Sequence, residues 1–348
     1  MIRVAQCYTG GVGSEIIRRL VGHPQMELVG VLVSRDDKAG RDSGELVGAA
    51  ANGIVSTQNL DDIIALHPDA AIWSGLLYDT ESMARLLVAG INVYTGIGAY
   101  WLPGEPEHDA LAEACRAGNS SLAAGGNIPG LISDVLPVFL SGYTGRIRHI
   151  HAWQRNHVET YPSAMQLQLG LGLGLEPGAN EYADIVDRGW VNGIRQSAKL
   201  VAAALDIEFT ELVLSKKEHA LAREDVVLPA SGLEIAAGTV AAARWTLSAF
   251  SGSHEYLTVS NEQTAVLGLG PGWRENHDDP AWRVEIDGEP PIVCTMGWPG
   301  GVDPTTSNLH LNVARAMNTI PRLIDAPPGP VTVLDFPLVT AGDGLAKG

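Results

Sequence analysis

The sequence predicts an α/β domain built on a doubly wound parallel sheet, followed by an α+β domain with a mainly antiparallel sheet. Three observations predict it. Residues 1–140 alternate short apolar runs with stretches of helical spacing. A glycine turn joins the first apolar run to the first helix. Past Gly142 the pattern changes to longer strand-like runs with few helices between them.

Taken in order, Ile2–Gln6 is a strand, and Gly13–Leu20 is a helix with Ile16, Ile17 and Leu20 on one side. Glu27–Ser34 reads as a buried strand. Asp61–Leu66 is helical and stops at His67-Pro68, and Ala70–Trp73 is a third strand. Thr80–Val88 is a helix capped by Thr80 and stopped by Gly90. Asn92–Thr95 is a strand, Glu107–Arg116 a helix stopped by Gly118, and Leu122–Ala124 a short strand. In the second part the strand-like runs are Arg146–Gln154, Ile207–Leu214, Leu233–Ser248, Glu255–Thr264 and Trp282–Thr295, with one helix at Asn192–Leu205. Thr305–Leu323 places Leu309, Val313, Met317 and Ile320 on one face, an amphipathic helix. It is expected to rejoin the first domain, so that 1–140 with 305–348 form one domain and 141–304 the other. LGLGLGL at 169–175 is the single low-complexity stretch and reads as a flexible wall.

At 348 residues with 45% apolar side chains, the chain can fill two cores. A net charge of −17 excludes a sequence-independent nucleic-acid binder, which needs a basic face, and disfavours docking on anionic lipid. Cys7, Cys115 and Cys294 are far apart, odd in number and without a CxxC, so neither a disulfide framework nor a zinc site is expected, and a reducing cytoplasm fits. Neither a signal peptide nor a membrane span is expected.

YTGGVGSEIIRRL, from Tyr8, has the strand–turn–helix context of a Rossmann dinucleotide fingerprint. Thr9, Gly10, Gly11, Val12 and Gly13 form the candidate phosphate loop. Gly10 would let the backbone approach a pyrophosphate, and Gly13 would let helix and strand pack closely. The helix N-terminus supplies free N–H groups and positive dipole. The first glycine position of GxGxxG holds Tyr8, so two glycines of three are present, and an ordinary βα turn is the other reading. Gly75 stands after the third strand, where a dinucleotide crosses the sheet edge. The second strand ends in Ser34-Arg35-Asp36-Asp37-Lys38. Ser34, Arg35 and Lys38 favour a 2′-phosphate and hence NADP(H); Asp36 and Asp37 oppose this, so NAD(H) stays open, as does a merely solvated loop.

VSRDDKAGRDSGELVG (33–48), AGGNIPGLISDVLPVFLSG (124–142), VEIDGEPPIVCTMGWP (284–299) and NTIPRLIDAPPGPVTVLDFP (318–337) together resemble dihydrodipicolinate-reductase-like oxidoreductases. The branch resembled is that of 2,4-diaminopentanoate dehydrogenase and the native amine dehydrogenases. The resemblance runs from about residue 2 to about 340 and rests on the order and spacing of the segments. It implies a Rossmann domain, an α+β substrate domain, a homodimer, and hydride transfer between a nicotinamide and a C=N bond. By position it implies phosphate contacts at Gly10, Gly11, Val12 and Gly13, ribose contacts at Ser34, Arg35 and Lys38, and a nicotinamide lining at Gly75 and Asn127. The sequence departs from that pattern at Tyr8. It departs again in NVYTGIGAYWLP (92–103), where the amine dehydrogenases' acidic pair falls on Gly98 and Ala99. QRNHVETYPSAM (154–165) keeps Pro162-Ser163 but lacks the lysine and paired histidines that the reductase proper resembles.

Hydride transfer asks the protein for orientation and a proton source. His157 titrates near neutrality in a polar cluster at a strand end, and Glu159 would orient it or take the proton itself. Tyr100 follows the missing acids and offers a phenol; Glu105 and Glu107 lie just beyond and would stand in for them. Each has a plain reading beside it: a core or surface histidine, a solvated glutamate, a packed aromatic, and acids at a helix N-terminus. Trp73, Tyr100, Trp101, Trp153 and Tyr161 are candidates to line an apolar cavity for a neutral substrate, or are core aromatics. There is no HExxH and no GxSxG, so neither a metal site nor a nucleophile is expected. The expectation is an NAD(P)H-dependent oxidoreductase acting on a small C=N or C=O substrate. The alternative is an NADP(H)-binding sensor or scaffold without turnover.

Overall fold

The computed structural model describes residues 1–300 and 302–342. In chain order, short apolar runs become β1 (Ile2–Cys7), β2 (Met26–Leu32), β3 (Ala70–Trp73), β4 (Asn92–Thr95) and β5 (Ser121–Ala124). Between them lie α1 (Gly11–Leu20), α2 (Ser43–Leu46), α3 (Leu60–Ala65), α4 (Thr80–Val88) and α5 (His108–Gly118). A kinked wide helical turn at Asn127–Val135 leads into α6 (Leu136–Ser141). Then follow β6 (Gly145–His157), α7 (Ala183–Ala204), β7 (Glu211–Leu221), β8 (Val226–Val227), β9 (Glu234–Ile235), β10 (Val240–Ser251), β11 (His254–Thr264), β12 (Trp282–Glu289) and β13 (Ile292–Met296). The chain ends with α8 (Pro304–Ile324) and β14 (Gly329–Val331).

Two compact units result. One is Met1–Gly126 with the chain from Leu309 onward; the other is Asn127–Asn308. Residues 343–348, which the sequence reading joins to the first domain, lie outside the described residues.

The first unit holds a six-stranded sheet in the order β14-β5-β4-β3-β1-β2, with every pair parallel. The order reverses at β1, so the β1–α1 turn lies at the switch point where doubly wound sheets take ligands. Burial on both faces explains the uninterrupted apolar runs, as in the wholly buried AAIW of β3. One face packs Ile16, Ile17, Val313, Met317 and Ile320. The other packs Met83, Leu86, Leu87, Leu111 and Cys115. Three details differ from the sequence reading. The cap of α4 is Asp79, whose carboxylate accepts the Ser82 N–H at 3.0 Å, and not Thr80. The unexpected α2 has no apolar period; Asp42 creates it by accepting the N–H groups of Gly44, Asn52 and Gly53. The unexpected β14 is an edge strand through Pro330, where a missing N–H is tolerated.

The second unit holds a six-stranded sheet in the order β13-β12-β6-β11-β10-β7, antiparallel except for β6 beside β11. The run at 282–295 is a hairpin, broken at Pro290-Pro291. The run at 233–248 is two strands, broken by a turn at Gly238, where φ is 85°. Helix α7 begins at Ala183, nine residues before the expected Asn192. Tertiary contacts hold that first half: Asp187 accepts the Trp245 indole N–H at 2.7 Å and pairs with Lys217 at 2.9 Å. The leucine–glycine stretch is packed: Leu173 is fully buried in a cluster with Leu167, Leu228, Leu233 and Ile235.

Candidate functional site

The β1–α1 turn keeps its glycine geometry without its first glycine. Tyr8 adopts φ 72°, the left-handed conformation glycine takes at no steric cost. The Gln6 side chain supports it, donating to the carbonyls of Cys7 (2.8 Å) and Tyr8 (3.0 Å). A β-carbon on Gly13 would collide with the Tyr8 carbonyl, whereas one on Gly10 would meet nothing within 4 Å. Gly13 therefore serves the close helix–strand contact, and Gly10 keeps the approach to the helix end clear. Gly10 is the N-cap of α1, makes no side-chain cap hydrogen bond, and is followed by a first turn without an acidic residue. Free N–H groups, positive dipole and open space fit a pyrophosphate. Gly75 lies against the Tyr8 ring, at 3.0 Å from a β-carbon built there.

At the tip of β2, Ser34 and Arg35 are exposed. The Arg35 guanidinium is held by Asp37 through two 2.8 Å hydrogen bonds, and it draws the Asp37 carboxyl below the usual range. Asp36 accepts from Gln58 at 3.0 Å. Lys38 points back to the loop, with its ammonium 2.8 Å from Thr9 Oγ1 and 3.1 Å from the Thr9 carbonyl. So Thr9 through Gly13, with Lys38, form one group, and Ser34 with Arg35 a second beside it.

The acid candidates of this unit gather around Tyr78. Gly98, with φ 70°, lies directly under the Tyr78 ring, and a β-carbon there would sit 2.6 Å from it. The ring thus fills the space a side chain at 98 would claim. Burial raises the Tyr78 phenol pKa, with Glu107 and Glu105 adding to it. Its hydroxyl is buried with no hydrogen-bond partner among the described residues. Tyr100 instead donates to the Gly96 carbonyl at 2.7 Å. Trp73, a candidate cavity wall, is a core residue at 1% exposure.

The second unit contains a cavity of about 480 Å³. Val158, Met165, Leu167, Leu169, Leu171 and Ile185 wall it, with Tyr161, Tyr182, Gln166 and Gln263 also present and no charged side chain in the lining. The Tyr161 hydroxyl donates to Gln166 Oε1 at 2.7 Å. Gln263 belongs to a run of amides on one sheet face. Asn127 donates to the Asn308 carbonyl (3.1 Å), Asn308 to Asn156 (3.3 Å), Asn156 to Gln263 (3.3 Å), and Gln263 to Asn261 (2.7 Å).

His157 pairs in register with Thr264, and Asn156 with Gln263, so strand alternation puts His157 on the face opposite Gln263. It is 7% exposed, with Nδ1 3.8 Å from Glu159 and its ring edge-on to His277. Burial holds its pKa below the usual histidine value despite Glu159, so it is neutral at pH 7. Trp153 stacks under Arg155 at 4.7 Å. Gln263 and Tyr78 carried no motif. The signal for Gln263 was the unbroken polar run Ser260–Thr264 within a strand, where polar groups that become buried must find partners. Among the described residues no group of three or more His, Cys, Asp or Glu side chains is placed to hold a metal, and no helix is long and apolar enough to cross a membrane.

A family model, the 2,4-diaminopentanoate dehydrogenase C-terminal domain, matches residues 131–347. The chain belongs to this family. It is an NAD(P)-dependent oxidoreductase in fold and kinship, of the branch its segments resemble. An amine dehydrogenase of Streptomyces virginiae is 28% identical over 365 residues, covering 100% of this chain and 99% of that one. The solved amine dehydrogenase of Mycobacterium smegmatis superposes with a TM-score of 0.73 at 20% identity, over 99% of this chain and 98% of that one. A myo-inositol dehydrogenase from Corynebacterium glutamicum gives 0.54 at 12% identity, over 94% and 90%. The two structures share the fold.

Proposed function

We propose that the protein transfers hydride between a nicotinamide dinucleotide and a small, uncharged C=O or C=N compound, with NADP(H) preferred and NAD(H) accepted. The observation that carries this is the phosphate loop: Tyr8 at φ 72° preserves the turn, and Gly10 leaves the end of α1 open. The exposed Arg35 supports the NADP(H) preference. The family resemblance adds the expectation of a homodimer, and the three separated cysteines that of a reducing cytoplasm.

The cavity supports an apolar substrate. An ammonium or carboxylate against the buried Val158 and Leu167 would give up part of its hydration without gaining an opposite charge. For the proton, we favour the Tyr78 phenol itself, which carries a proton at pH 7 and has Glu105 and Glu107 near it. The Tyr100 proton is committed to Gly96, and a neutral His157 has no imidazolium proton to give at pH 7. His157 and Glu159 then serve the sheet end. No observation favours a sensor that binds without turnover.

The test is NADPH and NADH oxidation against a panel of aliphatic ketones and aldehydes, each with and without ammonium. Turnover requiring ammonium assigns reductive amination, and turnover without it assigns carbonyl reduction. Nucleotide binding with no turnover across the panel and across preformed imines overturns the reading.

A further inference from the structure

We propose that Gln263 recognises the substrate's carbonyl oxygen in the 480 Å³ cavity, and that a chain of four other side-chain amides fixes it as a hydrogen-bond donor. The proposal rests on the reading that the cavity takes a carbonyl compound.

A glutamine amide is ambivalent, since one end carries both an acceptor oxygen and an NH₂ donor. At the buried end of a cavity without charged side chains, the atom it presents favours either a carbonyl or an amine. Here the orientation is imposed from outside. Asn127 contacts the main-chain carbonyl of Asn308 at 3.1 Å, and a carbonyl only accepts, so the contacting atom is Nδ2. The same Nδ2 is 3.5 Å from Asn308 Oδ1, which turns Asn308 Nδ2 toward Asn156 Oδ1 at 3.3 Å. Asn156 Nδ2 then donates to Gln263 Oε1 at 3.3 Å, and Gln263 Nε2 donates to Asn261 Oδ1 at 2.7 Å. Every link runs the same way. Reversing one amide would set oxygen against oxygen or NH₂ against NH₂.

The sheet makes the chain rigid. Asn156 and Gln263 are register partners on adjacent strands, and Gln263 is 8% exposed. Its oxygen is engaged by Asn156 and one N–H by Asn261. The second N–H is what remains for a ligand. A donor suits a ketone or aldehyde oxygen, and it repels the ammonium group of an amine. Neighbouring Tyr161 does not compete as a donor, because its proton goes to Gln166; the Gln166 amide and the Tyr182 hydroxyl belong to exposed residues, whereas Gln263 is buried. Aligned amides also polarise one another, which strengthens the terminal donors.

The experiment measures binding without turnover, by calorimetry on the full chain saturated with NADP⁺. The probes are hexanamide, an unreactive carbonyl compound, and hexylamine. The wild-type protein is expected to bind hexanamide and to reject hexylamine. Gln263→Leu should weaken hexanamide about fivefold to tenfold, the effect of one neutral hydrogen bond. Gln263→Glu, nearly isosteric but without the donor, should weaken hexanamide similarly and admit hexylamine. Asn156→Leu leaves Gln263 in place but frees its amide to turn, and should weaken hexanamide about threefold. A structural role for Gln263 would not exchange the two probes. The proposal is overturned if the wild type fails to bind hexanamide, or if both Gln263 variants bind it like the wild type. A protein that shows this Gln263 dependence but oxidises no NADPH would instead overturn the functional reading and leave the assignment standing.

Discussion

The ring of Tyr8 stands edge-on to the indole of Trp73, with centroids 5.0 Å apart and planes at 89°, while the Tyr8 backbone holds φ at 72°. Two effects oppose each other here. The left-handed conformation costs a residue with a β-carbon roughly 1–2 kcal/mol. The aromatic pair returns about 0.5–1.5 kcal/mol beyond the area it buries. Tyr8→Gly relieves the first and forfeits the second together with the area the ring buries, so it is expected to lower stability by about 1 kcal/mol and nucleotide affinity by less than about threefold. Tyr8→Val loses the ring and puts a β-branched side chain at positive φ, so stability should fall by about 2 kcal/mol or more. Thermal denaturation with nucleotide titration compares them. Loss of binding in Tyr8→Gly would make the ring itself part of the cofactor site.

Gly10 and Gly13 should fail in different ways. A β-carbon on Gly10 meets no atom of the protein, and its φ of −72° suits any residue. Gly10→Ala should fold normally and bind NADPH at least tenfold more weakly, because the methyl group enters the phosphate's approach. A β-carbon on Gly13 strikes the Tyr8 carbonyl, so Gly13→Ala should lower the melting temperature as well as binding. Equal melting temperatures for the two variants would contradict this division.

Arg35 and Asp37 should act in opposite directions on the same measurement. Their paired hydrogen bonds are exposed, with side chains at 69% and 59% accessibility, and such pairs add about 0–1 kcal/mol to stability. Arg35→Ala is expected to raise the NADPH KM about tenfold and leave the NADH KM unchanged. Asp37→Ala releases the guanidinium and should lower the NADPH KM about threefold. Both variants should melt with the wild type. No change in either KM would assign the pair to the solvated surface.

The legible parts of this chain were those where one local rule acted alone. β3 is buried on both faces and could be read directly from Ala70–Trp73. Gly13 was legible because a tight βα turn requires it. The first half of α7 was not, because Asp187 earns its place through Trp245 and Lys217, which are distant in sequence. The hairpin within 282–295 was legible in Asp287-Gly288 and Pro290-Pro291, both turn signals, although the segment reads as one run if only its apolar residues are followed. At the candidate site, His157 drew the eye as a titratable residue at a strand end, but sheet register sets the face it occupies, and no pattern in the sequence gives the register of β6 against β11. Tyr78 was invisible for a similar reason: its role depends on the space left by Gly98, twenty residues later.

Stability should fall as the pH drops below the ordinary histidine range. His149, His151, His157 and His219 are all held below their usual value, first of all by burial. The unfolded chain binds protons as pH falls through about 6.5, whereas the folded chain resists until lower pH, so the stability lost accrues across that window. Melting temperature measured from pH 8 to pH 5 should decline below pH 6.5, and His151→Asn with His157→Asn should flatten the decline. A flat wild-type profile would mean that these rings accept protons without unfolding.

Tyr78→Phe separates packing from proton handling. The phenol hydroxyl is buried without a partner among the described residues, and a buried unsatisfied group costs about 1–3 kcal/mol. Removing it leaves the ring on Gly98, so the variant should melt at or above the wild-type temperature. If this hydroxyl is the proton donor, kcat for a ketone should fall about a hundredfold, within the range for a lost acid–base group. Glu105→Gln with Glu107→Gln should lower it much less, since neither carboxyl is hydrogen-bonded to the phenol. A fall in kcat with unchanged nucleotide affinity and an unchanged or raised melting temperature cannot come from damaged packing. Wild-type turnover in Tyr78→Phe would leave the phenol as a spacer over Gly98 and return the search for the proton source to Glu159.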